Sequence, residues 1–234
     1  MILLTNGCSF TQGIYDNFEE YDAWPYQLGK LLGWDVVNLA KGGSSNARIF
    51  RTTMEYLLEN QPDYVGIAWT QTDRHELPYR DGDIIRIMHS KAMPEVNEDI
   101  QDIPELRRLW YKHCDNNLAG IQRTVYYIRS LIMVLTARSI PYTMSWAMQS
   151  DYITQIQTPG DPMCKDFNPD QLLLARSQID DMQWGNWLCW GSSMETELAH
   201  LPSADSLGHP GIQGQTLWAN LMADNINETL HIAR

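Results

Sequence analysis

Two stretches, separated by nearly the whole chain, carry the residue types of acyl-transfer chemistry. In the first, Asn6-Gly7-Cys8-Ser9-Phe10, a short apolar run stops at a glycine followed by two side-chain nucleophiles. The second is Asp205-Ser206-Leu207-Gly208-His209-Pro210-Gly211. A serine attacks a carbonyl when a base takes its proton, and a histidine serves as that base when a carboxylate orients its ring. Asp205 and His209 offer those two groups at close spacing, and Ser9 or Cys8 offers the nucleophile. Cys8 also has a plainer reading as a small apolar residue buried beneath the turn, where free cysteines are commonly found.

For these groups to meet, the intervening chain has to bring positions 9 and 209 to one edge of the fold. Ile2 to Thr5 reads as a short buried strand closed by Asn6-Gly7. Asp35 to Leu39 reads as a second strand, and Tyr64 to Trp69 as a third whose continuous apolar character suits burial on both faces. Pro141 to Trp146 makes a fourth, with a short fifth near Trp187-Leu188-Cys189. Helical spacing follows Trp24-Pro25, with Tyr26, Leu28, Leu31 and Leu32 on one side and Gly33 at the stop. Ser44-Ser45-Asn46 can cap a helix carrying Ile49, Met54, Leu57 and Leu58. A long helical pattern runs from about Glu105 to Ser139 through Ile121, Val125, Ile128, Leu131 and Leu135. A last helix from Gly211 to Leu230 turns Leu217, Leu221, Ile226 and Leu230 inward. Strands alternating with helices predict an α/β fold with a parallel sheet and right-handed crossovers.

In such sheets ligands sit beyond the carboxyl ends of the strands. Three turns gather there: Gly7-Cys8-Ser9, Gly42-Gly43, and Thr70-Gln71-Thr72-Asp73. A serine in the first can expose its hydroxyl while its own amide faces the same pocket, which suits a nucleophile beside an oxyanion. The paired glycines have turn geometry as their plainer explanation.

Four blocks in series now resemble a known family: Asn6-Gly-Cys-Ser9-Phe-Thr-Gln-Gly13, Asn38-Leu-Ala-Lys-Gly-Gly43-Ser-Ser-Asn46, Ile67-Ala-Trp-Thr-Gln-Thr-Asp-Arg74, and Asp205-x3-His209-Pro-Gly-x2-Gly214. They are similar to the SGNH (GDSL-type) hydrolase superfamily, in particular to compact forms often encoded by bacteriophages. The resemblance implies a three-layer α/β/α sandwich of flavodoxin-like topology, with a central parallel sheet of about five strands. The domain expected spans residues 1–234, with lid or cap insertions at about 81–102 and 158–200, and the resemblance itself runs from Met1 to about Ala223. It also implies an esterase in which Ser9 is the nucleophile and gives one oxyanion donor from its amide, Gly43 gives a second, His209 is the base and Asp205 orients it. In the third block the family offers an asparagine donor; here Gln71 is the nearest equivalent, with Thr72 next, and Asn46 could swing in from the neighbouring turn. The family also places its acid three residues before the histidine. Ser206 holds that place here and Asp205 lies one residue earlier.

The rest of the composition narrows the class. A formal net charge of −12, with Arg74 to Arg86 interrupted by Glu76, Asp81 and Asp83, argues against nucleic acid. Cys8, Cys114, Cys164 and Cys189 are too scattered for a zinc ribbon or a disulfide framework. His75, His89, His113, His200 and His231 make no metal-binding spacing and read as surface or helix residues. No cofactor and no metal are expected, and neither is a membrane partner. MILLTNG is too short for a signal segment, so a cytoplasm is expected, or a host cytoplasm or virion for a phage chain. Arg74 could bind a substrate carboxylate or pair with Glu76, the ion pair being the plainer reading. Trp184, Trp187 and Trp190 suit a sugar-stacking platform or the core of a cap. The substrate expected is an acyl ester, for example an O-acetyl group on a carbohydrate. The competing class is a hydrolase-like domain with weakened catalysis, kept for carbohydrate binding or as a phage structural protein.

Overall fold

The computed structural model describes residues 1–13, 19–78, 84–87, 103–113, 117–148, 186–189, 192–205 and 208–232. In chain order the first elements are β1 (Ile2–Asn6), α1 (Ser9–Gln12), α2 (Trp24–Leu32), β2 (Asp35–Asn38) and α3 (Asn46–Glu59). Next come β3 (Tyr64–Trp69), β4 (His75–Pro78), β5 (Ile84–Ile87), α4 (Ile103–His113) and α5 (Asn117–Ala137). The chain closes with β6 (Tyr142–Trp146), α6 (Met194–Leu198) and α7 (Ile212–Ile232).

The main sheet has four parallel strands in the order β2-β1-β3-β6. Leu4 of β1 sits opposite Val37 on one side and Val65 on the other, so β1, β2 and β3 end side by side. The expected fifth strand is reduced to a single parallel bridge, Met144 to Trp187, closed by hydrogen bonds from the Met144 amide to the Asn186 carbonyl and from the Leu188 amide to the Met144 carbonyl.

Strand alternation divides the core into two layers. Leu4, Val65, Ile67 and Trp69 point to the side covered by α3 and α5, where Ile49, Leu57, Ile121, Val125, Ile128, Leu131 and Leu135 are buried. Leu3, Tyr64 and Ala68 point to the other side, against Trp24 and Leu28 of α2 and Trp218, Met222 and Ile226 of α7. Gly66 faces this second layer. A Cβ there would lie 3.4 Å from Met222 Cε and 3.6 Å from the Trp24 ring, so its missing side chain makes room for both.

Several helical faces are rotated from the sequence reading. In α2 the buried residues are Trp24, Pro25, Leu28 and Gly29, whereas Leu31 is 55% exposed. The cause is a close approach to β2: a Cβ on Gly29 would lie 2.2 Å from Val36 Cγ2. In α3 Leu58 is 81% exposed and Thr53 takes the inward place. In α7 the stripe runs through Gln215, Trp218, Ala219, Met222 and Ile226, while Leu217, Leu221 and Leu230 pack at its margin. The long helical pattern is carried by two described helices, α4 and α5. Of the stretch read as a lid, 84–87 form β5, which pairs antiparallel with β4. The rest of 81–102 lies outside the described residues, as do 158–185 of the second expected cap.

Candidate active site

The first turn is built by three constraints. Asn6 ends β1 with its side-chain amide 3.0 Å from the Ile49 carbonyl and 2.9 Å from both Thr52 Oγ1 and Thr53 Oγ1, tying the strand end to α3. Its Oδ1 accepts the Gly7 amide at 2.9 Å. Gly7 has no room for a side chain, because a Cβ would lie 2.2 Å from Thr11 Oγ1. Cys8 then caps α1, its carbonyl accepting the Thr11 and Gln12 amides, and its side chain is fully buried in the α2/α7 layer. Ser9, the first residue of α1, is partly exposed. The two neighbours thus differ in exposure, Cys8 buried in the core and Ser9 partly open to solvent.

The second half comes from the loop before α7. Its neck is closed by a bridge between Ser203 and Pro210 and by hydrogen bonds from the Ala204 amide to the His209 carbonyl and from the Gly211 amide to the Pro202 carbonyl. Gly211 permits that closure, since a Cβ would lie 2.7 Å from the Pro202 carbonyl oxygen. Within the neck, Asp205 Oδ1 accepts the His209 amide at 3.2 Å and Oδ2 lies 2.6 Å from His209 Nδ1. The carboxylate makes Nδ1 the protonated nitrogen and leaves Nε2 as an acceptor. Nε2 stands 2.9 Å from Ser9 Oγ. The His209 ring also leans on Phe10, centroids 5.4 Å apart. With side-chain exposures of 12% for His209 and 22% for Asp205, the pair is shielded yet reachable. Three groups from opposite ends of the chain thus meet in a hydrogen-bonded line that can pass a proton from a hydroxyl to an imidazole. Ser206 lies outside the described residues, and Asp205, four residues before His209, is the carboxylate that meets the ring.

The second turn lies over Ser9. The Gly42 amide donates to Gln12 Oε1 at 2.5 Å, and a Cβ on Gly42 would lie 3.9 Å from Ser9 Cβ. Gly43 is buried with φ +71°, a left-handed conformation that favours glycine, and its amide has no acceptor among the described residues.

At the third turn Gln71 is half-buried and lies two residues past the end of β3. Asn46 is 2% exposed and does something other than reach for Ser9. Its Oδ1 accepts the Thr70 amide at 2.8 Å, and its Nδ2 donates to the Thr70 carbonyl at 2.9 Å and to Thr124 Oγ1 at 3.1 Å. With both amide protons committed, Asn46 is the tether of the third turn, which corrects the expectation that it could swing toward an oxyanion.

The neighbouring polar residues bring further corrections. Glu76 pairs with Arg51 at 3.3 Å, and Arg51 also holds Glu55, so the Arg74–Glu76 ion pair is absent. Arg74 instead directs Nη2 at Met148 Sδ, 3.0 Å away. His75 is 6% exposed, and its Nδ1 accepts from Arg123 Nη2 at 3.3 Å, so it is no surface residue. Trp187 stacks on Trp146 with centroids 5.6 Å apart and belongs to the sheet's flank, whereas Trp184 and Trp190 lie outside the described residues. Burial, with Glu197 nearby, pushes the Cys189 thiol up and keeps it protonated. Among the described residues no group of three His, Cys, Asp or Glu side chains could hold a metal, and no helix is long and apolar enough to cross a membrane.

Sequence reasoning missed Gln215, which is fully buried on α7. Its Oε1 accepts the Trp24 amide at 2.9 Å and its Nε2 donates to the Phe10 carbonyl at 3.2 Å, fixing α1 to both α2 and α7. The signal was available, since position 215 falls on the stripe of Trp218, Ala219 and Met222 and is the polar residue in it.

The arrangement has counterparts among known proteins. A family model described as "Family of unknown function (DUF6071)" matches residues 4–234. No curated protein matches the chain. Among solved structures, the psychrotrophic esterase EstA from Pseudoalteromonas sp. is similar at 10% identity and a TM-score of 0.56, covering 98% of both chains. A catalytic mutant of Axe2, an acetylxylan esterase from Geobacillus stearothermophilus, is similar at 15% identity and a TM-score of 0.53, covering 96% of this chain and 93% of that one. A G-D-S-L family protein from Desulfitobacterium hafniense DCB-2 gives 13% identity and a TM-score of 0.53, with 96% and 98% coverage. The fold is that of the SGNH (GDSL-type) hydrolases.

Proposed function

We propose, for a chain that belongs to the family of unknown function DUF6071 and carries the SGNH hydrolase fold, that it is a serine esterase acting through an acyl-serine intermediate. The observation that carries this reading is the continuous line from Ser9 Oγ to His209 Nε2 at 2.9 Å and from His209 Nδ1 to Asp205 Oδ2 at 2.6 Å. Ser9 Oγ attacks the ester carbonyl as its proton passes to His209 Nε2, and the Asp205 carboxylate stabilises the imidazolium. The amides of Ser9 and Gly43, with the Gln71 side chain, receive the tetrahedral oxyanion. Collapse of this intermediate breaks the ester C–O bond, and His209 returns the proton to the leaving alcohol. A water deprotonated by His209 then attacks the acyl-serine, releasing the carboxylic acid and restoring Ser9. The chemistry calls for no cofactor. The substrate is an acyl ester, for example an O-acetyl group on a carbohydrate, a choice supported by the acetylxylan esterase among the similar folds.

A fluorophosphonate probe tests the reading. One equivalent of label is expected on the wild type and none on Ser9→Ala. A folded protein that takes up no label would instead be a hydrolase-like binding or structural domain. Activity that survives Ser9→Ala and is abolished by iodoacetamide would move the nucleophile to Cys8.

A further inference from the structure

Just past the third turn, a cavity of about 120 Å³ lies between α3, α5, β4 and α4. Its walls include Thr72, Arg74, His75, Trp110 and Arg123. What distinguishes it is a set of unused donors. Arg74 Nε and Nη1, Trp110 Nε1 and Thr72 Oγ1 are all buried, and none has a hydrogen-bond partner among the described residues. Thr72 is 4% exposed as a whole residue, and Gly120 of α5 packs so closely on its carbonyl that a Cβ would lie 2.6 Å away. Trp110 is held in place by the His75 ring, centroids 5.2 Å apart, and His75 in turn receives Arg123 Nη2.

Native proteins leave few buried donors unpaired, because each forfeits its hydrogen bond to water. These four belong to residues that line one cavity, two of them on a guanidinium that stays charged. Glu76 also lines the cavity, but its carboxylate is matched by Arg51, so Arg74 and Arg123 leave the pocket positive in a chain of net charge −12. Its volume of about 120 Å³ leaves room for a group the size of a carboxylate. The guanidinium fork matches a carboxylate in geometry as well as charge.

We infer that this cavity is an anion subsite that takes a carboxylate carried by the ester substrate, with Arg74 as its principal ligand and Trp110 and Thr72 as neutral donors. The inference deepens the esterase reading and rests on it for the word substrate. Nothing in it requires Arg74 to touch the reacting atoms.

Two measurements on the full chain test it separately from catalysis. In the first, acetate and inorganic phosphate are titrated into wild type and Ser9→Ala against chloride at equal ionic strength. A saturable rise in Tm is expected in both, and its loss is expected in Arg74→Gln. In the second, kcat/KM is compared for p-nitrophenyl acetate and the p-nitrophenyl half-esters of succinate, glutarate and adipate. The best half-ester is expected to be preferred over the acetate, and Arg74→Gln to cut that preference at least tenfold. Arg74→Lys, which keeps the charge and loses the fork, is expected to cut it about threefold. If Arg74→Gln fails to fold, Arg123→Gln is read the same way. No saturable effect of either anion, or a preference that Arg74→Gln leaves unchanged, overturns the subsite. An unlabelled Ser9 beside Arg74-dependent anion binding overturns the esterase reading instead and leaves an anion site without a substrate role.

Discussion

The two flanks of the sheet's carboxyl edge handle polar groups in opposite ways. On one flank Ser9, His209 and Asp205 satisfy one another end to end. On the other, Thr72, Arg74 and Trp110 hold donors in the interior with no acceptor among the described residues. Desolvated polar groups are costly unless paired, so the first set has its geometry fixed by internal bonds while the second keeps its bonding capacity for something that arrives. A saturated line suits proton transfer, which needs preset distances; an unsaturated cradle suits binding. The Ser9 reactivity test above breaks the first half of this contrast and the anion titration breaks the second.

Asp205→Asn sharpens the saturated flank with the next largest effect. The amide keeps the shape of the carboxylate, but it removes the charge that stabilises the imidazolium and allows the wrong tautomer of His209. A fall in kcat of about 10⁴-fold is expected on p-nitrophenyl acetate, with Tm nearly unchanged. A loss below tenfold would mean that Asp205 holds the loop without assisting the base.

Asn46→Ala tests the tether that joins the flanks. Asn46 bonds both backbone groups of Thr70, and its removal leaves a buried amide and a buried carbonyl unpaired. About 3 kcal/mol of stability should go with it, on the order of 6–12 °C in Tm for a chain of this size. Calorimetry on the variant reads this directly. A change under 2 °C would show that the third turn is held by its surroundings instead.

How much of this was legible follows from the physics of each feature. The strand ends and the series of turns were readable because buried parallel strands leave continuous apolar runs punctuated by glycine, and the Ser9 and Asp205–His209 blocks carry their chemistry in adjacent residues. Helix faces were less so. In α2 and α7 the inward stripe follows Trp24 and Trp218; the packing of Trp24 and Met222 against Gly66, and of Gly29 against β2, decides the rotation, and counting leucines does not find it. Asn46 read as a free donor because sequence cannot show that Thr70 and Thr124 already occupy it. Arg74 read as an ion-pair partner of Glu76 because the two are neighbours in sequence, whereas β4 sends Glu76 toward Arg51 of α3. The donors of the cavity come from the approach to β4 and from α4, and its other walls from β4, α3 and α5, a juxtaposition no local pattern announces.

The smallest expected effect falls on Gln71, which stands between the two flanks, two residues past the end of β3 and just before Thr72 of the cavity. If its amide completes the oxyanion hole, it strengthens its bond as charge develops, so its loss should appear in kcat and hardly in KM. Gln71→Leu, similar in size but without a donor, should lower kcat about 10²-fold on p-nitrophenyl acetate with KM within threefold. Gln71→Glu should be slower still, because its carboxylate would face the developing oxyanion. A rise in KM confined to the anionic half-esters would assign Gln71 to the binding flank. No change in either constant would leave the oxyanion to the backbone amides of Ser9 and Gly43, and the division between the flanks would then fall at Thr70, where Asn46 already ties the turn.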